Sequence, residues 1–190
     1  MAEEPTIRGV FVKSHINALG KKRGEEGLKD LEKRYGASID IGDTDNVPVR
    51  EEVKILEYIV DILSPKPLAP VERAFEAGKL HFNNFTTTPL WTLVTSIFGK
   101  NIKLLLMQSA NIAGRVFHGI TFHSQDIGER SVRITMENND YPLEHFQGFF
   151  DAWLTSSGVS GNVEAYARSE NIYEYLISWN EPHIKVVSEK

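Results

Sequence analysis

The 190-residue chain has no cysteine. This removes disulfides, thiol nucleophiles, thioether-linked haem and cysteine-based zinc sites, and it suits a reducing compartment. Long apolar runs are missing too: none approaches the ~20 residues needed to cross a bilayer. The opening MAEEPTIRGVF lacks the basic-then-apolar pattern of a leader. The expectation is a cytoplasmic chain without a membrane span. Positive charge is scarce, with 21 basic against 26 acidic residues and a net charge of -5, which argues against a general nucleic-acid binder. The only basic cluster, Lys21 to Arg23, is followed at once by Glu25 and Glu26 and reads as a solvated helix end. Nucleophile elbows, phosphate loops and the dinucleotide-binding glycine triad are absent.

What is present is apolar periodicity. Residues 7–20 read as a short strand leading into a helix that Gly20 ends, and residues 24–35 as a second short helix stopped at Gly36. The loop ASIDIGDTDNVPVRE follows. Its Asp40, Asp43 and Asp45 lack the glycine and downstream glutamate of a calcium loop. Residues 50–63 predict a helix, SPKPLAP a rigid linker, and Val71 to Phe82 another helix with Val71, Ala74, Phe75, Gly78 and Phe82 inward. After a polar turn, Leu90 to Phe98 and Asn101 to Ala113 predict two more helices, the last of them unbroken and apolar on most sides.

From Gly114 the period changes from 3.6 to 2. Residues 116–123 and RSVRITME predict a hairpin around SQDIGE, with Val132, Ile134 and Met136 on its core face. The stretch YPLEHFQGFFDAWLTSSGV predicts a helix capped by Asp140, with Pro142 in its first turn and Gly158 at its stop. Gly161 to Arg168 and Tyr173 to Trp179 predict a second hairpin, with Val163, Ala165 and Ala167 opposite Tyr173, Tyr175 and Ile177. The last ten residues are polar and read as a fraying end.

The histidines show no ligand spacing. His118 and His123 fall on opposite strand faces, and His145 has no partner at helical zinc spacing. His15, His81 and His183 are isolated and read as surface or half-buried residues. Glu25/Glu26 and Glu51/Glu52 sit at helix starts, where the macrodipole accounts for them. Neither a catalytic set nor a metal site is read from these residues.

The segment from Ala74 to Phe117, with FEAGKLHFNNF and TPLWTLVTSIFGKNIKLLLMQSANIAGRVF, then strands, FFDAWLTSSGV and two more strands, resembles an uncharacterised family of similar length known from expanded myxobacterial paralogues. More distantly it is similar to the haem nitric-oxide/oxygen-binding (H-NOX) fold and its vinyl-reductase-type and trafficking-complex relatives. That resemblance implies a small-molecule sensor or interaction module. Haem-binding members carry a proximal histidine on the helix before the first strand, whereas KLLLMQSANIAGRVF has none. They also carry a Tyr-x-Ser-x-Arg grip before the later helix, where this chain reads TMENNDYP. The resemblance therefore implies the fold without haem or another cofactor.

The expectation is one α+β domain over 1–190, with a helical layer over 7–113 and a ββαββ antiparallel unit over 114–180. Its apolar surplus suggests a pocket for an apolar small molecule, lined by Phe82, Trp91, Phe98, Leu105, Phe117, Phe146 and Phe150. The alternatives are an assembly protein acting through a homodimer or a protein partner, and an enzyme using His118, His123 or His145.

Overall fold

The computed structural model describes residues 3–99 and 101–180, so His183 and the polar tail lie outside the described residues. Strand β1 (Thr6–Arg8) leads into helix α1 (Gly9–Tyr35). Gly20 does not end this helix. It runs on to Gly36, which closes it in the left-handed conformation, and the break falls at Gly24 (φ 63°, ψ -157°). Only glycine adopts that backbone without strain, so two helices meet there at a kink. Within the predicted acidic loop, Asn46–Pro48 forms β2, which pairs antiparallel with β1. Three residues with one alternation are too short to register as a strand by pattern.

Helix α2 (Val49–Leu63) and helix α3 (Pro70–Phe85) flank the proline-rich linker. Pro70 opens α3, and the Glu72 carboxylate accepts from the Ala69 amide at 3.3 Å. The helix runs through Asn83 and Asn84 to Phe85, past its expected end, where buried Asn84 bonds His15 on α1 and Phe85 is buried. Val71 is 59% exposed and does not face inward. Helix α4 (Pro89–Phe98) starts at Thr88, whose hydroxyl accepts from the Trp91 amide at 3.4 Å. The expected single helix over 101–113 is broken at Gln108 into α5 (Ile102–Met107) and α6 (Ser109–Ala113). The break lets α6 turn against the sheet, where Ser109 Oγ meets Ser124 Oγ at 2.8 Å.

Gly119 (φ 83°) splits the expected first strand. Phe117–His118 (β3) pairs with β1, completing a small sheet of order β2-β1-β3. Thr121–Gly128 (β4) enters a separate antiparallel sheet with β5 (Ser131–Glu137), β6 (Gly161–Ser169) and β7 (Ile172–Trp179), in the order β4-β5-β7-β6. SQDIGE is therefore mostly strand, with the turn at Glu129 and Arg130. Asn138 joins the two sheets, donating to Glu3 O at 2.9 Å and Gly119 O at 2.8 Å. The second hairpin keeps the expected register, Val163 to Ile177, Ala165 to Tyr175 and Ala167 to Tyr173.

Helix α7 (Leu143–Ser156) lies between the sheet and α3. Pro142 occupies its N-cap, and Asp140 does not cap it. Phe146, Phe150, Trp153 and Leu154 are buried, as are Val132, Ile134, Met136, Tyr175 and Ile177 of the sheet. On its other side α7 meets α3 backbone to backbone. A Cβ on Gly78 would fall 1.7 Å from His145 O, and one on Gly148 would fall 2.0 Å from Phe75 O. Neither overlap can be relieved by rotating a side chain, so the helices would have to move apart.

Gly78→Ala and Gly148→Ala should therefore each destabilise the fold by about 3 kcal/mol, outweighing the ~1 kcal/mol gained in helix propensity. Gly114→Ala, whose Cβ meets only Ala110 O at 3.6 Å, should be near neutral. Urea denaturation of the three variants measures this; equal midpoints would remove the close-contact account.

Candidate functional site

The α3–α7 contact places two histidines against each other. His81 lies one turn after Gly78, and His145 one turn before Gly148. His81 Nδ1 and His145 Nε2 are 3.0 Å apart, so one of them carries the shared proton. Helix α1 adds His15, and α2 adds Glu52. His15 Nε2 lies 3.0 Å from Glu52 Oε1, and His81 Nδ1 lies 3.8 Å from that same oxygen. The Tyr141 hydroxyl donates to Glu52 Oε2, and the Asn84 amide meets His15 Nδ1 at 3.0 Å. All six residues are buried. His15 and His81 are thus neither isolated nor near the surface, and Glu52 points into the core rather than serving as a helix-end charge.

Burial decides the charge state of this cluster. It pushes His15 down to about 3. His81 is pushed down to about 4 by burial, with Glu52 opposing. Burial, reinforced by His81 and His15, holds His145 well below the ordinary imidazole range. Burial also raises the Glu52 carboxyl, against His81 and the Tyr141 hydrogen bond, and holds the Tyr141 phenol well above its usual value. Although His15 and Glu52 sit at ion-pair distance, desolvation of both favours a neutral, proton-sharing pair. The hydrogen bonding is incomplete, since His145 Nδ1 and Asn139 Nδ2 are buried with no partner. Ligand atoms of His15, Glu52 and His81 lie within 4.8 Å of one another, close enough for the three to face one ion.

His81 also belongs to the wall of an almost wholly apolar cavity of about 40 Å³. The remaining wall is Phe85 from α3, Ser109, Ile112 and Ala113 from α6, Val116, Phe117 and Phe122, and Phe146, Phe149, Phe150 and Trp153 from α7. Of the residues expected to line a pocket, Phe117, Phe146 and Phe150 are in this wall. Phe82 and Trp91 form the layer behind it: Phe82 packs on Phe149 at 5.2 Å and on Trp153 at 5.7 Å between centroids, and Trp91 meets Phe82 at 5.6 Å. Leu105 is in the main core, and Phe98 packs half-buried against it. His118 and His123 are exposed, and neither joins the buried cluster.

Sequence spacing could not reveal the cluster, because its members lie on four separate segments, α1, α2, α3 and the stretch from Tyr141 into α7. A weaker signal was available. His15 is set among Phe11, Val12, Ile16 and Leu19, and Glu52 among Val49, Leu56 and Ile59, so both are polar residues inside apolar helix stripes.

Acidification should destabilise the metal-free protein. The three histidines take up protons in the unfolded chain near pH 6.5 but resist them when folded, so their stabilisation is lost as pH falls below 6.5, for His81 down to about 4 and for His15 down to about 3. Glu52, with its raised folded value, opposes this above its ordinary 4.5. Three protons against one leave roughly 3 kcal/mol per pH unit. Urea midpoints measured with a chelator between pH 7.5 and 5 should fall accordingly. His145→Phe should reduce the slope by about one proton; an unchanged slope would show that His145 titrates alike in both states.

No curated protein matches the sequence. Among solved structures, the chain is similar to an H-NOX domain designated Tt, a double mutant, with a TM-score of 0.69, 15% identity and coverage of 92% of this chain and 96% of the other. It is similar to an oxygen-binding H-NOX domain related to soluble guanylate cyclases, with a TM-score of 0.67 and 15% identity over 92% and 96% of the two chains. An Fe(II) unliganded H-NOX mutant from K. algicida gives 0.63, with 13% identity over 92% and 97%. At these identities the likeness establishes an H-NOX-like fold. Residues 1–180 match the family described as Protein of unknown function (DUF2378), and the chain belongs to that family.

Proposed function

We propose that this protein is a haem-free ligand-sensing domain whose ligand is a small, largely apolar molecule held in the cavity between α3, α6, α7 and the sheet. The observation that carries this reading is the cavity wall, in which closely packed aromatic rings surround a space for only a few heavy atoms. An apolar void of this kind stays dry and accepts apolar guests. Trp153 adds one polar feature, since its indole N–H is buried without a partner. A guest with a single acceptor atom suits such a wall.

The residues present do not fit haem. A porphyrin is many times larger than a cavity of about 40 Å³. Its space is filled by rings in contact, such as Phe117 on Phe122 at 5.7 Å and Phe146 on Phe149 at 5.3 Å. Neither α5 nor α6 offers a histidine, cysteine or tyrosine as an axial ligand. Protein produced with haem supplied should therefore show no stoichiometric Soret band near ~400 nm, and such a band would overturn the haem-free reading. Xenon NMR should show a bound state that Ala113→Leu removes by filling the cavity; no bound state in the parent protein would count against the pocket.

A second reading, docking to another copy of this chain, is favoured by Leu93, Ile97 and Leu104 on α4 and α5, which are 50%, 65% and 50% exposed. Light scattering should then give a dimer that Leu93→Glu with Ile97→Glu dissociates. A parent protein that is monomeric at all concentrations would remove this reading.

A further inference from the structure

We propose that His15, Glu52 and His81 form a binding site for a divalent first-row transition-metal ion. The site borders the apolar cavity, with which it shares His81, and goes beyond the sensing role. Its donors come from three helices that approach one another only in the folded chain: Nε2 of His15 on α1, Oε1 of Glu52 on α2 and Nδ1 of His81 on α3.

The geometry is close to that of a filled site. Metal–nitrogen and metal–oxygen bonds of about 2.0–2.2 Å put neighbouring donor atoms about 3.0–3.5 Å apart. The separations here are 3.0 Å for His15 to Glu52 and 3.8 Å for His81 to Glu52, with His15 and His81 within 4.8 Å of each other. Small side-chain rotations would bring the set around one ion. Two imidazoles and a carboxylate suit zinc or ferrous iron and are poorly matched to calcium or magnesium, which prefer all-oxygen shells.

The surroundings also match those of metal ligands. Asn84 lies against His15 Nδ1, the ring atom that faces away from Glu52. Here the Asn84 Nδ2–H donates to that atom and leaves the ring proton on Nε2, so coordination at Nε2 requires the amide to turn and present its oxygen to Nδ1. Tyr141 holds the second oxygen of Glu52, orienting the carboxylate. Burial keeps the imidazoles neutral, the form that binds metal.

A purely structural hydrogen-bond cluster accounts less well for one feature. The buried Glu52 carboxyl meets two imidazoles and a phenol, and among the described residues no lysine or arginine pairs with it. A dication would provide the missing charge for Glu52. Because His81 is also part of the cavity wall, an ion on its Nδ1 would lie one imidazole from any guest.

The test uses the full chain stripped with a chelator and titrated with Co²⁺, then with Zn²⁺. One equivalent of Co²⁺ should bind with visible d–d bands that Zn²⁺ abolishes, and the melting temperature should rise. Glu52→Gln and His81→Asn should each weaken binding about 100-fold or more, and Tyr141→Phe about 10-fold, with circular dichroism confirming that the variants are folded. His118→Ala with His123→Ala should leave binding unchanged. Should the core variants fail to fold, Zn²⁺-induced shifts of the His15 and His81 imidazole NMR signals in the parent protein give the same information. Absence of stoichiometric binding, unshifted imidazole signals, or equal affinity in folded Glu52→Gln would overturn the site.

Discussion

The backbone contact between α3 and α7 is the constraint on which most of this structure depends. Gly78 and Gly148 each occupy the point where a side chain would run into a carbonyl of the opposite helix. Because both are glycine, the helix axes approach far more closely than ordinary side chains allow. One turn away, the same approach drives His81 and His145 into contact and stacks Phe82 on Trp153. Helix α7 can then cover the sheet with Phe146, Phe150 and Leu154 while α3 closes its other side.

Inside this apolar frame sits a polar cluster that the packing alone does not require. Helix faces built from Phe11, Val12, Ile16, Ile55 and Ile59 would pack well without His15 and Glu52 between them. Burying three imidazoles, a carboxyl and a phenol costs stability unless each finds partners, and here the partnering is incomplete. A site that sacrifices packing for buried donors held in register is the pattern expected of a functional centre. The neighbouring cavity shares His81 with this cluster.

The likeness to H-NOX domains concerns the frame and not the chemistry. Helices first, then a strand pair, a helix and a second strand pair reproduce that fold at about 15% identity. In this chain aromatic rings fill the region between helices and sheet, and the buried histidines come from α1, α3 and α7. A fold carries its function in such interiors.

The sequence by itself determined the local elements. Alternation set Val132, Ile134 and Met136 inward and paired Val163 with Ile177, because strand periodicity is written in neighbouring residues. The aromatic stripe of α7 was visible for the same reason. Elements that depend on distant partners were not: β2 needs β1 to exist, the kink at Gly24 and the break at Gln108 answer to packing, and Asn83 to Phe85 stay helical only within the fold. The polar cluster is the extreme case. Residues 15, 52, 81, 141 and 145 share no motif, and only the tertiary crossing of α1, α2, α3 and α7 brings their polar atoms within hydrogen-bonding distance while excluding the water that would otherwise set their charges.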